Sequence, residues 1–367
     1  MKTRKRTNER KKNKSYRRRI RNKAKGVKVS SYSPSINADL VTLRTSSRSL
    51  LSNCNTEAAF KHGKPLEIGV PDKFGVEQCY PYHTEKAKGF LLHNLAANKH
   101  LDLDRLITPA QSRSNCWFNS MFVTFFISDK GRKFFHFLRQ LMIEGRQNDG
   151  TLIPRKLRDT FSLLNFGIDA CLTGGEFAYD LDTNDIIAKL FESIPNKYKP
   201  KYPGIVDVDD AGNPLTYYIG IINYLHNNDL LMLYMRDSVS DWRSELNELV
   251  ESTTKLPHII ALEIYDEDAS KFGKKPLSFT LHDAKYEIDS AVIRDISKQH
   301  FCTTITCEGK QMGYDGLSYH RLVPIQWKRL LNSDTNWEFE GTNNTDGTPL
   351  QWNFTKSYQL LLYYRIE

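Results

Sequence analysis

The spacing of apolar residues changes its period once along this chain, and that change restricts the fold more than any other feature. From Cys116 the segment WFNSMFVTFFISDKGRKFFHFLRQLMIEG sets Phe122, Phe125 and Phe126, then Phe134, Phe135, Leu138, Leu141 and Met142, at intervals of three and four. This predicts a buried helix, interrupted near Gly131 and resumed, with His136 a core or surface histidine within it. Asp182, Thr183 and Asn184 offer N-cap chemistry to a second amphipathic helix over IIAKLFESI. After about residue 255 the runs HIIALEIYD, LSFTLHD, YEIDSAVIRD, HFCTTITCEG and SYQLLLYYRI are short, rich in Val, Ile, Thr and Tyr, and separated by Gly, Lys and Asp turns. They predict an antiparallel sheet. Helices first and sheet afterwards imply an α+β fold with segregated layers.

Charge is distributed as unevenly as apolarity. Residues 1–28 hold 15 Lys and Arg against one Glu, a balance of +14, so the rest of this +9 chain carries −5. The basic pI of about 9.0 therefore belongs to a tail and not to the folded body. Like charges at that density repel and bring little apolar surface to bury, so residues 1–28 are expected to be disordered in isolation. Such a tail solubilises, addresses a protein to the nucleus, or neutralises the phosphates of a nucleic acid. Residues 29–56 continue it as a polar linker, and residues 57–108 lead into the core, with order beginning between Ala58 and Asp102.

With 367 residues, 40% of them hydrophobic, the chain has ample material for a core, which excludes a wholly disordered or fibrous protein. No run of eighteen apolar residues and no apolar segment behind the basic N-terminus is present, so neither a transmembrane helix, a secretory signal nor a membrane partner is expected. None of the six cysteines forms the C-x-x-C spacing of a structural zinc site, and no metal or other cofactor is expected. Free thiols in a reducing, intracellular compartment, cytoplasm or nucleus, are the simplest reading.

Cys116 stands in QSRSNCWFNS, where a polar segment meets the start of the long apolar helix. A thiol there feels unpaired backbone N–H groups and the positive end of the helix dipole, conditions that favour the thiolate, although a lone cysteine at a helix start is also a common structural residue. Gln111, earlier in the same loop, can return its side-chain amide to the spot faced by the Cys116 N–H, giving two donors for an oxyanion. Far downstream, HFCTTITCEGKQMGYDG places His300 at the head of a strand, a turn at Glu308–Lys310, and Asp315 on the returning strand. A hairpin of that length brings its ends together, so Asp315 can hold the second nitrogen of the His300 ring. The rival base is His320, with Glu340 or Asn343 as its orienter. Cys302 and Cys307 fall on opposite faces of a strand and read as core thiols, and GGEF at 174–177 reads as a coincidental match to a cyclic-dinucleotide synthase signature.

These residues carry a resemblance. From about Pro109 to Glu367 the chain resembles the ubiquitin-specific protease family of papain-like cysteine peptidases. The family's cysteine box, N-x-G-x-T-C-Y-x-N-S, is similar to QSRSNCWFNS, and its Q-D-A-x-E-F-L segment to LDTNDIIAKLF, with Asp182 and Asp185 at the acidic positions. Its LP-x-x-L strand is similar to LPHIIALEIY, its Y-x-L-x-A-V strand to YEIDSAV, its histidine box to HFCTTITCEGKQMGYDG, and its terminal Y-L-L-F-Y strand to SYQLLLYYR. Six segments match in the same order. Departures are Gln111 for the usual asparagine, Gln311 for a tryptophan, Lys298–Gln299 for Gly-Gly, and no paired C-x-x-C fingers, with only about 60 residues, 196–255, to fill that region.

The resemblance implies a papain-like catalytic domain over residues 109–367 in which a helical lobe packs on an antiparallel sheet. It implies Cys116 as nucleophile, His300 as base, Asp315 as orienter, Gln111 as oxyanion donor, and no cofactor. The implied reaction is thiol-dependent hydrolysis of peptide or isopeptide bonds after the C-terminus of ubiquitin or a ubiquitin-like modifier. Two other readings stand beside it: a catalytically weak ubiquitin-binding protein tethered to nucleic acid through residues 1–28, and a processing protease for a non-ubiquitin substrate, of the kind a large DNA virus carries into a virion or host cell.

Overall fold

The computed structural model describes residues 27–29, 54–208, 210–227, 231–235, 242–251 and 256–367. The basic tail, and with it the expected contact with nucleic acid, therefore lies almost wholly outside the described residues. Within the tail, strand β1 (Val27–Val29) pairs in parallel with residues 337–339.

The helical layer opens with α1 (Thr56–His62), a hairpin of β2 (Glu67–Pro71) and β3 (Glu77–Pro81), and α2 (Glu85–Ala97). There follow α3 (Cys116–Phe126), α4 (Asp129–Phe134), α5 (His136–Glu144), α6 (Arg155–Thr173), α7 (Thr183–Ser193), α8 (Pro214–Leu225) and, beyond strand β4 (Met232–Met235), α9 (Trp242–Glu251). Phe60, Ile68, Tyr82, Leu91 and Leu95, all from the segment before residue 109, are buried in the same core as α3, α5 and α6. The break in the long helix comes earlier than Gly131. Ser128 Oγ accepts from Gly131 N at 3.1 Å and donates to Thr124 O at 2.7 Å, ending one helix and capping the next. Gly131 lies inside α4, where a Cβ would stand 2.2 Å from the Thr124 carbonyl oxygen.

The five predicted strands are β5 (Ile259–Ile264), β6 (Ser278–Leu281), β7 (Ala284–Arg294), β8 (Phe301–Cys307) and β12 (Gln359–Arg365). Between β8 and β12 come β9 (Lys310–Tyr314), β10 (Leu322–Pro324) and β11 (Trp337–Phe339). The main sheet runs β10-β9-β8-β7-β12-β5-β4, with β6 on β7. It is antiparallel from β10 to β5, but its last pair, β4 with β5, is parallel. The cause is the connection: α9 lies between β4 and β5, and a helical crossover returns the chain in the same direction.

Both faces of the sheet are covered, which is why its strands read as nearly continuous apolar runs. Leu360, Leu362 and Tyr364 of β12 join Ile259 and Ala261 of β5 against the helices. Leu361 and Tyr363 join Ile260 and Leu262 in a second core with Trp327, Trp337, Trp352 and Phe354. The result is a mixed α+β architecture whose sheet is sandwiched between helices and an aromatic layer built from its own connections.

The expectation of six free thiols fails at one pair, for Cys54 and Cys79 are joined in a disulfide. The β2–β3 register sets Cys79 opposite Gly69, and the Cys54 sulfur packs beside Gly69. Cys171, Cys302 and Cys307 are free and buried, and Cys116 is free and partly exposed. No helix among the described residues is long and apolar enough to cross a membrane.

Candidate active site

Cys116 is the first residue of α3, and every later residue of that helix is buried. Only that first residue is partly exposed. The loop before it is held from the side by the start of α7. Asp182 Oδ1 accepts from Asn184 N, the expected N-cap contact, and from Ser112 Oγ at 2.8 Å. Asn115 Nδ2 donates to Thr183 Oγ1 at 2.8 Å, and Thr183 Oγ1 donates to Asn119 Oδ1 at 2.7 Å. Asn115, Asn119 and Thr183 are all buried, so this chain of bonds fixes the helix start from inside. Asp185, the other acidic position of the segment, is half-buried, and burial raises its carboxyl above the usual range.

His300 and Asp315 come from the two ends of the β8–β9 hairpin. Its turn is the two-residue pair Glu308–Gly309, both with positive φ (47° and 70°), the conformation that matches the twist of tightly connected strands. The register that begins with Cys307 opposite Lys310 reaches Thr303 opposite Tyr314, so His300 and Asp315 meet just beyond the last pair. His300 Nε2 lies 2.7 Å from Asp315 Oδ1, and both residues are buried.

Three groups that sequence reasoning missed complete this arrangement. Asp295 accepts the backbone N–H of His300 at 2.6 Å and of Gln299 at 2.7 Å, locking the turn between β7 and β8. Thr342 Oγ1 donates to Asp315 Oδ2, while Leu317 N donates to Oδ1 at 3.0 Å. Trp352 lies T-shaped to the imidazole, with centroids 5.9 Å apart. Asp295, five residues before the histidine, has the signature of a side chain satisfying its own turn, but Thr342 and Trp352 sit in loops whose distance from His300 no local pattern encodes.

Burial disfavours the imidazolium of His300, yet hydrogen bonds to Asp315 and Cys116, with the charges of both, outweigh it and push its pKa up to about 10. With Nε2 occupied by Asp315, Nδ1 is the nitrogen left for Cys116. The structure thus brings Cys116, His300 and Asp315 together from a helix and a hairpin.

Gln111 reaches the same place. Its backbone N–H donates to Gly316 O at 2.9 Å, and a Cβ on Gly316 would stand 2.9 Å from that of Gln111. Only glycine after Asp315 lets the two loops approach this closely. The Gln111 amide itself donates to Arg113 O at 3.2 Å, and its Oε1 is buried without a hydrogen-bond partner. At the residue after the nucleophile, Gly212 presses on Trp117, where a Cβ would overlap the indole at 2.3 Å.

The alternatives fall elsewhere. His320, Glu340 and Asn343 are exposed, and no hydrogen bond or ion pair of the His320 ring occurs among the described residues. Cys302 and Cys307 are buried in different cores, and burial raises both thiols, Cys307 to about 12. His136 is half-buried, and burial lowers its pKa. Gly174 of GGEF is the C-cap of α6, with φ of 70°. No group of three His, Cys, Asp or Glu able to hold a metal occurs among the described residues.

No family model matches the chain, and no curated protein does. Among solved structures it is similar to an essential yeast splicing factor, at a TM-score of 0.40 and 10% identity over 85% of this chain and 88% of that one. It is similar also to the SAGA Ubp8/Sgf11/Sus1/Sgf73 DUB module bound to ubiquitin aldehyde, at a TM-score of 0.43 and 10% identity over 85% of this chain and 83% of that one. The SAGA DUB module bound to monoubiquitin gives a TM-score of 0.42 with the same identity and the same coverage of both chains.

Proposed function

We propose that this chain is a papain-like cysteine peptidase of the ubiquitin-specific protease type, hydrolysing peptide or isopeptide bonds after the C-terminus of ubiquitin or a ubiquitin-like modifier. The observation that carries the reading is the His300–Asp315 pair, 2.7 Å apart and buried, with the helix-terminal Cys116 near enough to raise the pKa of the same imidazole. The modifier is inferred from the order of the six matched sequence segments.

In this reaction His300 takes the proton of Cys116, and its raised pKa favours that form. The thiolate attacks the scissile carbonyl carbon, and the carbonyl electrons move to oxygen. As the first residue of α3, Cys116 has a backbone N–H without an intrahelical acceptor, free to meet that oxyanion. The Gln111 amide supplies a second donor once it leaves Arg113 O. His300 returns its proton to the leaving amine as the carbon–nitrogen bond breaks. Water, deprotonated by His300, then cleaves the thioester and restores the thiol. Asp315 stays ionised throughout, fixing the ring and supporting its charge.

The test is covalent labelling by ubiquitin vinyl sulfone beside the matching SUMO probe. The reading requires an adduct with one of them in the parent chain and none with Cys116→Ala. An unlabelled parent chain, or an adduct that survives the substitution, overturns it.

A further inference from the structure

At the opposite end of α3 from Cys116 lies a second concavity, a cleft of about 870 Å3 between the end of α2, helices α4 and α5, and the β8–β9 turn. An eleven-residue helix places it roughly 16 Å from the thiol, outside the proposed peptidase site. Its floor is apolar, from Leu95 and Phe126, and its walls carry more cationic than anionic side chains. Lys99, Arg132, Lys133 and Arg139 line it with Asp129 and Glu308, and a third carboxylate, Asp169, stands behind Arg139.

Those two carboxylates are turned into the protein. Asp129 accepts from Arg132 and from the backbone N–H groups of Glu308 and Gly309. Glu308 accepts from Arg132 and from Leu101 N, with His100 at 3.5 Å. Arg139 is built differently. Its side chain is 5% exposed, and Nε and Nη2 are held from behind by Asn165 at 2.9 Å and Asp169 at 3.0 Å. No hydrogen bond of its Nη1 occurs among the described residues, although Arg139 lines the cleft. A buried guanidinium clamped on one side and unpaired on the other is a preorganised anion donor. His136, one turn earlier on α5, lines the same wall, and burial, with the charges of Arg139 and Lys99, lowers its pKa.

We propose that this cleft binds a small organic anion, a phosphate or carboxylate head on an apolar body, with Arg139 at the head, Lys99 and Lys133 at the rim, and Leu95 and Phe126 beneath the body. The site does not depend on the peptidase reading, since it is measured as binding and a Cys116→Ala chain should bind equally.

The experiment is calorimetric titration of the full chain with 1-naphthyl phosphate, 1-naphthoate, 1-naphthol and inorganic phosphate. At least one naphthyl anion should bind at least about tenfold tighter than naphthol, and tighter than inorganic phosphate. The better of the two anions identifies the head group. Affinity should fall as salt rises. Lys99→Glu combined with Lys133→Glu, both on the surface, should leave the circular dichroism unchanged and weaken the anion at least about tenfold. Arg139→Gln is paired with Asp169→Asn, so that no buried carboxylate is stranded, and should abolish binding. Naphthol binding as tightly as the anions, no saturation at about 1 mM, or an unchanged affinity in the double lysine variant overturns the proposal.

Discussion

Thr124 Oγ1 and Thr303 Oγ1 lie 3.0 Å apart in the buried seam between α3 and β8, joining the helix that begins with Cys116 to the strand that follows His300. Thr303 already gives its hydroxyl proton to Ala291 O at 2.9 Å, so Thr124 is the donor across the seam. Thr124→Val should cost about 1 kcal/mol, because Thr303 keeps its own acceptor. Thr303→Val should cost more, since it leaves the Thr124 hydroxyl without its acceptor and the Ala291 carbonyl without the nearer of its two threonine donors. Urea denaturation of both variants checks the order.

Cys116→Ala should abolish turnover of a fluorogenic ubiquitin substrate without unfolding the chain, as the thiol lies at a helix end and not in the core. His300→Ala should lower kcat/KM by about 10³-fold or more, and Asp315→Asn by less, since an amide still orients the ring. His320→Ala should leave the rate within about twofold of the parent. A damaging His320→Ala would move the base to the β9–β10 loop.

The raised pKa of His300 makes a pH prediction of definite sign. Between its ordinary value near 6.5 and about 10 the folded chain holds a proton that the unfolded chain has released. This contribution to stability is complete below the lower value and is lost as pH rises through the upper one. Asp315→Asn and Cys116→Ala each remove one source of the shift. Denaturation midpoints measured from pH 6 to pH 10 should therefore fall less steeply in either variant than in the parent.

Asp295 never touches the proposed reacting atoms, yet it holds the backbone that delivers His300. Asp295→Ala leaves the N–H groups of Ser297, Gln299 and His300 without their acceptor, and should cost about 2 kcal/mol or more in stability. A displaced imidazole should also reduce kcat by roughly 10²-fold with little change in KM. If only stability falls, Asp295 is a turn residue and nothing more.

What the sequence disclosed and what it withheld divide along physical lines. Strands such as β7 and β12, buried on both faces, are long enough for Ile, Val, Leu and Tyr to show as runs, and the β8–β9 hairpin is short enough for its register to bring His300 near Asp315. The strand β4 has four residues and belongs to a parallel crossover, so neither its length nor its direction was legible. The Cys54–Cys79 pair was hidden because spacing does not determine which thiols meet. Trp327 and Trp352 enter the second core from connections and Trp337 from the three-residue strand β11, and single aromatics outside a long run carry no period.

The described partners of the Asp315 carboxylate, His300, Leu317 N and Thr342, all come from the sheet side, and none comes from α3. Half of the site is thus a self-supporting unit whose shape does not rely on the nucleophile. Removing the sulfur deletes a reagent and leaves the mould. A Cys116→Ala chain fixed to a support should then retain an uncleaved ubiquitin conjugate, and the amount retained measures the proposed peptidase site as a receptor, apart from any bond it breaks.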